Sequence, residues 1–246
     1  MTIWPVYLLG AIIGAVLGSF LGVVACRLPR GENFVAGGSH CQSCGGALRA
    51  WHMIPLVSFF VLHGRCAMCR AALPMDLVVA ELGGVAAVIL GIAAGETLPG
   101  VIAWAVFGLG MVLLALLDAR HYWLPDALTL PLIALGLVVG LILPEADLGQ
   151  RLAGALCGYG SLTLMRLGYR YWRGREGLGG GDPKLFAAIG AWLGVAALPA
   201  VLLGAALMAL GHALVLYLRG NAITAQTALP LGTPLAIAAL IGMIWA

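Results

Sequence analysis

The chain alternates long apolar runs with short polar breaks marked by glycine, proline and isolated charges. At about 20 apolar residues per bilayer crossing, the runs predict helices over 4–25, 75–94, 100–117, 127–143, 151–168, 184–194, 196–218 and 229–246. The sixth is short and reads as a half-helix continuing into the seventh through Gly194 to Pro199. Eight spans is the expected count, with seven as the alternative. Pro74, Pro99, Pro125, Pro144 and Pro183 each fall near a predicted start or stop, where the chain needs a break. The period-two alternation of a membrane β-barrel is absent, so the expected fold is all-α and polytopic.

Composition sharpens this reading. Of 246 residues, 62% are hydrophobic and 9% charged, with mean hydropathy +1.05. A soluble domain carries about 25% charged residues, so an integral membrane protein in contact with lipid is expected, with no nucleic acid as partner. The stretch from Trp4 to Cys26 is too long for a signal-peptide core and lacks a basic start, so it reads as a retained helix. Arg27, Arg30, Arg49, Arg65 and Arg70 lie in the first connection, 27–74. Arg120 lies in the third, Arg170, Arg173 and Arg175 in the fifth, followed by Lys184, and Arg219 in the seventh. The second has only Glu96, and the fourth has Glu145 and Asp147 with Arg151 at its edge. The positive-inside rule places the odd connections in the cytoplasm. Three regions follow: a first transmembrane helix over 1–26, a cytoplasmic loop domain over 27–74, and a membrane-embedded domain over 75–246.

The loop domain contains Cys41-Gln42-Ser43-Cys44 and Cys66-Ala67-Met68-Cys69, two C-x-x-C knuckles separated by 21 residues. Cys41, Cys44, Cys66 and Cys69 fit a structural zinc site in which each knuckle gives two thiolates to a tetrahedral ion. Two disulfides or a redox pair are the alternatives, and a cytoplasmic loop disfavours stable disulfides. Cys26 and Cys157 lie in apolar helices and read as packing residues. His40, His52 and His63 are near the knuckles but are not needed as ligands.

The candidate chemistry rests on Asp118 and Asp182, which end long apolar stretches. An ionisable group at a membrane rim is costly and marks a functional site by default. Both fall in odd connections, so they share the cytoplasmic face and can meet. Two carboxylates sharing one proton can activate water and protonate a leaving nitrogen, the requirements of peptide hydrolysis. Gly179, Gly180 and Gly181 leave the backbone before Asp182 without side chains, which lets an extended substrate strand approach. Pro183 fits a first helical turn, placing Asp182 at the N-cap. The plainer roles are capping for Asp182 and Asp126, and a helix-end pair with Arg120 or Lys184 for Asp118. Glu81, inside an apolar helix with no obvious partner, is a further functional candidate, against a snorkelling or helix–helix hydrogen-bonding role.

Gly179-Gly180-Gly181-Asp182-Pro183-Lys184 resembles the G-x-G-D-x-K signature of the bacterial type IV prepilin peptidases, and Asp118 with Leu124-Pro125-Asp126 resembles their other aspartate motif. Gly18-Ser19-Phe20-Leu21, Arg27-Leu28-Pro29, the C-x-x-C pairs and Ile54-Pro55-Leu56 match the family's amino-terminal region. The resemblance spans nearly the whole chain. It implies that Asp118 and Asp182 are the catalytic pair, with Gly179 to Gly181 and Lys184 in the active-site loop. It implies removal of the short basic leader of type IV prepilins or type II secretion pseudopilins at the bacterial inner membrane. It further implies methylation of the new amino terminus with S-adenosylmethionine, because members with the cysteine domain are usually bifunctional. Three departures stand out. Arg120 occupies the place where many relatives carry a second acid, Pro183 replaces the usual Val or Ile, and Gly180 fills the variable place.

A transporter using the aspartates as a proton or cation relay is the competing class. Relay carboxylates lie deep within spans, whereas these sit at helix ends. A zinc-ordered scaffold leaves the glycine run without a purpose. Asp126, Glu176 and Glu32 are candidates to attract the basic leader.

Overall fold

The computed structural model describes residues 4–34, 40–41, 43–47, 50–143, 147–220 and 230–245. Gln42, Arg49, Pro144, Glu145 and the ends 229 and 246 of the last predicted helix lie outside the described residues. Nine α-helices are described: α1 Trp4–Arg27, α2 Val57–Val61, α3 Met75–Ala94, α4 Leu98–His121, α5 Asp126–Ile142, α6 Leu148–Arg173, α7 Asp182–Leu193, α8 Leu198–Leu218 and α9 Gly232–Gly242. A helix stands at each of the eight expected places, and no strand occurs among the described residues. Among the described residues, four spans are long and apolar enough to cross a membrane: Trp4–Arg30, Met75–Ala94, Leu98–His121 and Val195–Leu218. Helices α5 and α9 are apolar but shorter.

Helix ends differ from the sequence reading where polar residues extend a helix. Helix α4 continues past the predicted residue 117, and Asp118 therefore sits in its last turn; Tyr122, at φ 50°, ends it and returns its N–H to the Asp118 carbonyl. Helix α6 runs on to Arg173, where Gly174 takes the left-handed C-terminal position (φ 67°), a conformation glycine adopts without strain. Arg170 and Arg173 thus belong to a helix end rather than to a connection. Helix α7 stops at Gly194 and passes through a short 3-10 turn, Val195–Ala197, into α8, as the half-helix reading expects.

Two cores share α4. On one side Val112, Leu113, Leu116 and Leu117 pack with Val24 and Ala25 of α1 and Ala80 and Ala87 of α3. On the other, Phe107, Met111 and Leu114 pack with Leu162 of α6, Leu185, Phe186 and Ile189 of α7, and Leu235 of α9. Close helix contact depends on glycines, among them Gly18 of α1, which lies against the Ala80 carbonyl, and Gly154 of α6, which lies against the Gly190 carbonyl. A β-carbon at either position would collide with backbone, which cannot move aside.

Exposed Leu8, Leu9, Ile12 and Val16 on α1, and Leu203, Leu207, Leu210 and Leu214 on α8, give the bundle an apolar outer face. Among the described residues Arg151 is the one buried cation inside it, only 7% exposed. Its guanidinium donates to the carbonyls of Gly136 (3.0 Å) and Ala191 (3.4 Å) and lies over the rings of Trp104 and Trp192. One side chain therefore ties α4, α5, α6 and α7 together at the end of α4 remote from Asp118.

Candidate active site and cysteine cluster

Asp118 is 4% exposed and Asp182 6%. They belong to α4 and α7, distant in sequence. Leu124 fills the space between their surroundings: it touches the position of Gly181 on one side and of Gly232 on the other. The structure brings the two carboxylates to one end of the bundle.

Asp118 is held by the start of α9. Its Oδ2 accepts from the Thr233 N–H (2.6 Å) and lies 3.0 Å from the Thr233 hydroxyl, which also reaches the Ala115 carbonyl at 3.2 Å. Helix N-termini carry unpaired N–H groups and a partial positive charge, so they stabilise a carboxylate. Gly232 is obligatory here, since a β-carbon would stand 2.8 Å from the Asp118 carboxyl carbon. Sequence reading missed Gly232 and Thr233. The available signal was Leu231-Gly232-Thr233-Pro234 before an apolar run, a helix-start pattern.

Asp182 is not the N-cap. Gly181 occupies that position and Asp182 is the first helical residue, its Oδ2 accepting from the Gly179 N–H at 2.9 Å. Gly179 and Gly181 answer crowding rather than unusual dihedrals, and Gly180 has room for a side chain. A β-carbon would fall 3.0 Å from Asp182 Oδ2 at Gly179, 3.4 Å from the Arg166 guanidinium at Gly180, and 2.6 Å from the Leu124 side chain at Gly181.

Each nearby cation is paired with an acid other than the two aspartates. Arg120 pairs with Asp76 of α3 and reaches Cys26 Sγ. Lys184 Nζ lies 2.6 Å from both carboxylate oxygens of Asp126. Arg166 and Arg170 share Glu176, at 3.0 and 3.6 Å. The helix-end pairing of Asp118 with Arg120 or Lys184 is therefore not made. Asp126 does not cap α5 either, because Pro125 holds the N-cap place and the Asp126 side chain turns to Lys184. Asp126, Glu176 and Glu32, the last near Arg30 at 3.9 Å, all have partners within the chain, which leaves none of them an unpaired anion for a basic leader.

Glu81 has found a partner too. This buried side chain accepts from the Leu56 N–H at 2.7 Å. Leu56 is held at φ 59°, ψ −50° at the start of α2, so a membrane helix grips a strained turn of the 27–74 region.

The four cysteines converge: the sulfurs of Cys41, Cys44, Cys66 and Cys69 all lie within 4.8 Å of one another. The knuckles repeat one backbone pattern. Cys41 N–H donates to the Gly46 carbonyl and Gly45 N–H to that of Cys41; likewise Cys66 N–H donates to Ala71 and Arg70 N–H to Cys66. Gly45 (φ 69°) and Arg70 (φ 60°) take the same left-handed place. Cys41 and Cys69 sulfurs stand 3.8 Å apart, close to the edge of about 3.8 Å expected for a tetrahedron with metal–sulfur bonds of about 2.3 Å. N–H groups of Cys44 and then Ser43 lower the Cys41 thiol to about 6, while, against a lowering by the Ala71 N–H, burial and the neighbouring Cys44, Cys66 and Cys41 thiols raise that of Cys69 to about 11. All six cysteines are free thiols.

Residues 12–94 match a family model described as the bacterial peptidase A24 N-terminal domain, and residues 105–214 match the type IV leader peptidase family. A prepilin leader peptidase/N-methyltransferase of Pseudomonas aeruginosa is 35% identical, over 95% of this chain and 88% of the relative. This chain belongs to the type IV leader peptidase family. Proteins of the same name from Neisseria gonorrhoeae (35% identical, 85% of this chain, 81% of the relative) and Burkholderia pseudomallei (38%, 85% and 76%) are similar throughout the same regions. No solved structure matches. The boundary between the two family regions falls at the start of α4, whose Asp118 end lies in the leader peptidase region.

Proposed function

We propose that this protein is an intramembrane aspartyl endopeptidase that removes the short basic leader of type IV prepilins or type II secretion pseudopilins and then N-methylates the new amino terminus. The observation that carries the peptidase part is the pair Asp118 and Asp182, buried together while Arg120, Lys184 and Arg166 each bind a different acid. Family membership supports peptidase and methyltransferase activity over the transporter class.

The two carboxylates act as one titrating unit. With one proton shared between them, the ionised carboxylate draws a proton from water as the water oxygen attacks the scissile carbonyl. The protonated partner donates to the carbonyl oxygen during the attack, giving a gem-diol. As the C–N bond breaks, the proton taken from water goes to the leaving nitrogen and one diol hydroxyl returns its proton to the partner, restoring the shared-proton pair. Thr233, through its N–H and hydroxyl, fixes the Asp118 carboxylate, and the Gly179 N–H fixes that of Asp182. S-adenosylmethionine supplies the methyl group when bound, and the new amine must lose a proton before it can accept that group.

Cys41, Cys44, Cys66 and Cys69 hold a zinc ion in this reading. Four thiolates close the coordination shell, so the ion orders the loop and does no catalysis. The substrate's leader stays in the cytoplasm while its apolar helix enters the bilayer, so the aspartates belong at the cytoplasmic face of the bacterial inner membrane, beside the basic odd connections. Purified protein in detergent, incubated with a pilin-type precursor with and without S-adenosylmethionine, tests both activities. Cleavage without the methyl donor and a 14 Da gain on the mature amino terminus with it are expected, that being about the mass of one added CH₂. No cleavage would overturn the peptidase reading.

A further inference from the structure

We infer that Asp126 is a positioning residue for the aspartate pair, fastening the segment that carries Asp182 to the segment that carries Asp118. The inference rests on the peptidase reading above. Asp126 follows Asp118 by eight residues and Lys184 follows Asp182 by two, so the Asp126–Lys184 ion pair joins the two candidate motifs directly. Both Asp126 oxygens lie 2.6 Å from Nζ.

The side chains are 56% and 29% exposed respectively. Exposed pairs add little to stability, and Asp126 caps nothing, so geometry is what the pair contributes. The α5–α7 contact is fastened at its far end by Trp192 Nε1 donating to the Leu132 carbonyl at 2.8 Å. Lys184 supplies the near end, one turn from the chemistry. The pair also holds an ammonium group two residues from Asp182 away from the carboxylates, just as Asp76 occupies Arg120 and Glu176 occupies Arg166.

The test uses the full chain in detergent with a pilin-type precursor. Misplacement of a reacting group by about 1 Å costs on the order of 100-fold, so Asp126→Asn should lower kcat by about 10- to 100-fold with KM within about threefold of wild type. Asp126→Glu, which keeps the ion pair, should restore most of kcat. Lys184→Gln should fall as far as Asp126→Asn, and the double variant should be no worse than either. A carbodiimide, which joins only touching amines and carboxylates, should form an amide between Lys184 and Asp126 in wild type, read by mass spectrometry, and none in Asp126→Asn. Near-normal kcat in Asp126→Asn, losses that multiply in the double variant, or no cross-link in wild type would each overturn the inference. An inactive wild-type protein that still forms the cross-link would overturn the peptidase reading and leave the fastening in place.

Discussion

Asp118 touches no cation among the described residues; its partners are the N–H and hydroxyl of Thr233. Removing either candidate carboxylate destroys the shared-proton pair, so Asp118→Asn and Asp182→Asn should each lower cleavage by at least about 100-fold while membrane insertion stays normal. A variant retaining a tenth of wild-type cleavage would remove that residue from the chemistry. Thr233→Val keeps the shape and the N–H but deletes a hydroxyl bonded to a charged group, a bond worth about 1.5–3 kcal/mol. Cleavage should fall about 10- to 100-fold, and unchanged turnover would exclude the hydroxyl. Asp118 and Asp182 were legible in the sequence because a carboxylate stands out in an apolar chain. Thr233 was not: its local pattern marks only a helix start, and its role arises from the start of α9 folding back onto α4, a contact spanning 115 residues.

Among the elements, the cysteine loop and α3 make the sharpest pairing. One zinc per chain is expected by elemental analysis, and replacing Cys41 and Cys44 with Ser should release it and open the 57–74 stretch to protease. Stoichiometric protein without metal, or with oxidised thiols, would rule the site out. Glu81→Gln weakens the bond to Leu56 at 2.7 Å without touching the cysteines, so the same stretch should be cut faster while zinc stays bound. Equal protease rates would show that α3 does not hold the loop. The apolar helices were legible because bilayer length dictates them; their ends were less so, since Ala119, Arg120 and His121 continue α4 for one polar turn. The grip of Glu81 on Leu56 was illegible, because a backbone N–H in a left-handed turn leaves no mark in the sequence.

At the scale of the whole molecule, the two aspartates share one end of the bundle, and α4, 24 residues long, separates them from Thr97 by about 1.5 Å per residue. Cysteines placed at Arg120 and Leu178 should therefore react from one membrane side and a cysteine at Thr97 from the other; reaction of the first two from opposite sides would break the pair. The number of crossings was the least legible quantity, since α7, with 12 residues, and α9, with 11, are defined by neighbours rather than by their own length. Arg151 adds a constraint on biogenesis. A guanidinium within a membrane protein is costly to bury; α4 and α5 supply the Trp104 ring and the Gly136 carbonyl, and the rest of its shelter is the Ala191 carbonyl and Trp192 ring, both on α7. During synthesis α6 emerges after α4 and α5 but before α7, so the nascent chain carries a cation with only part of its shelter until α7 arrives. In a chain halted between the two helices that cation should stay half-sheltered, and completion of α7 should finish its burial.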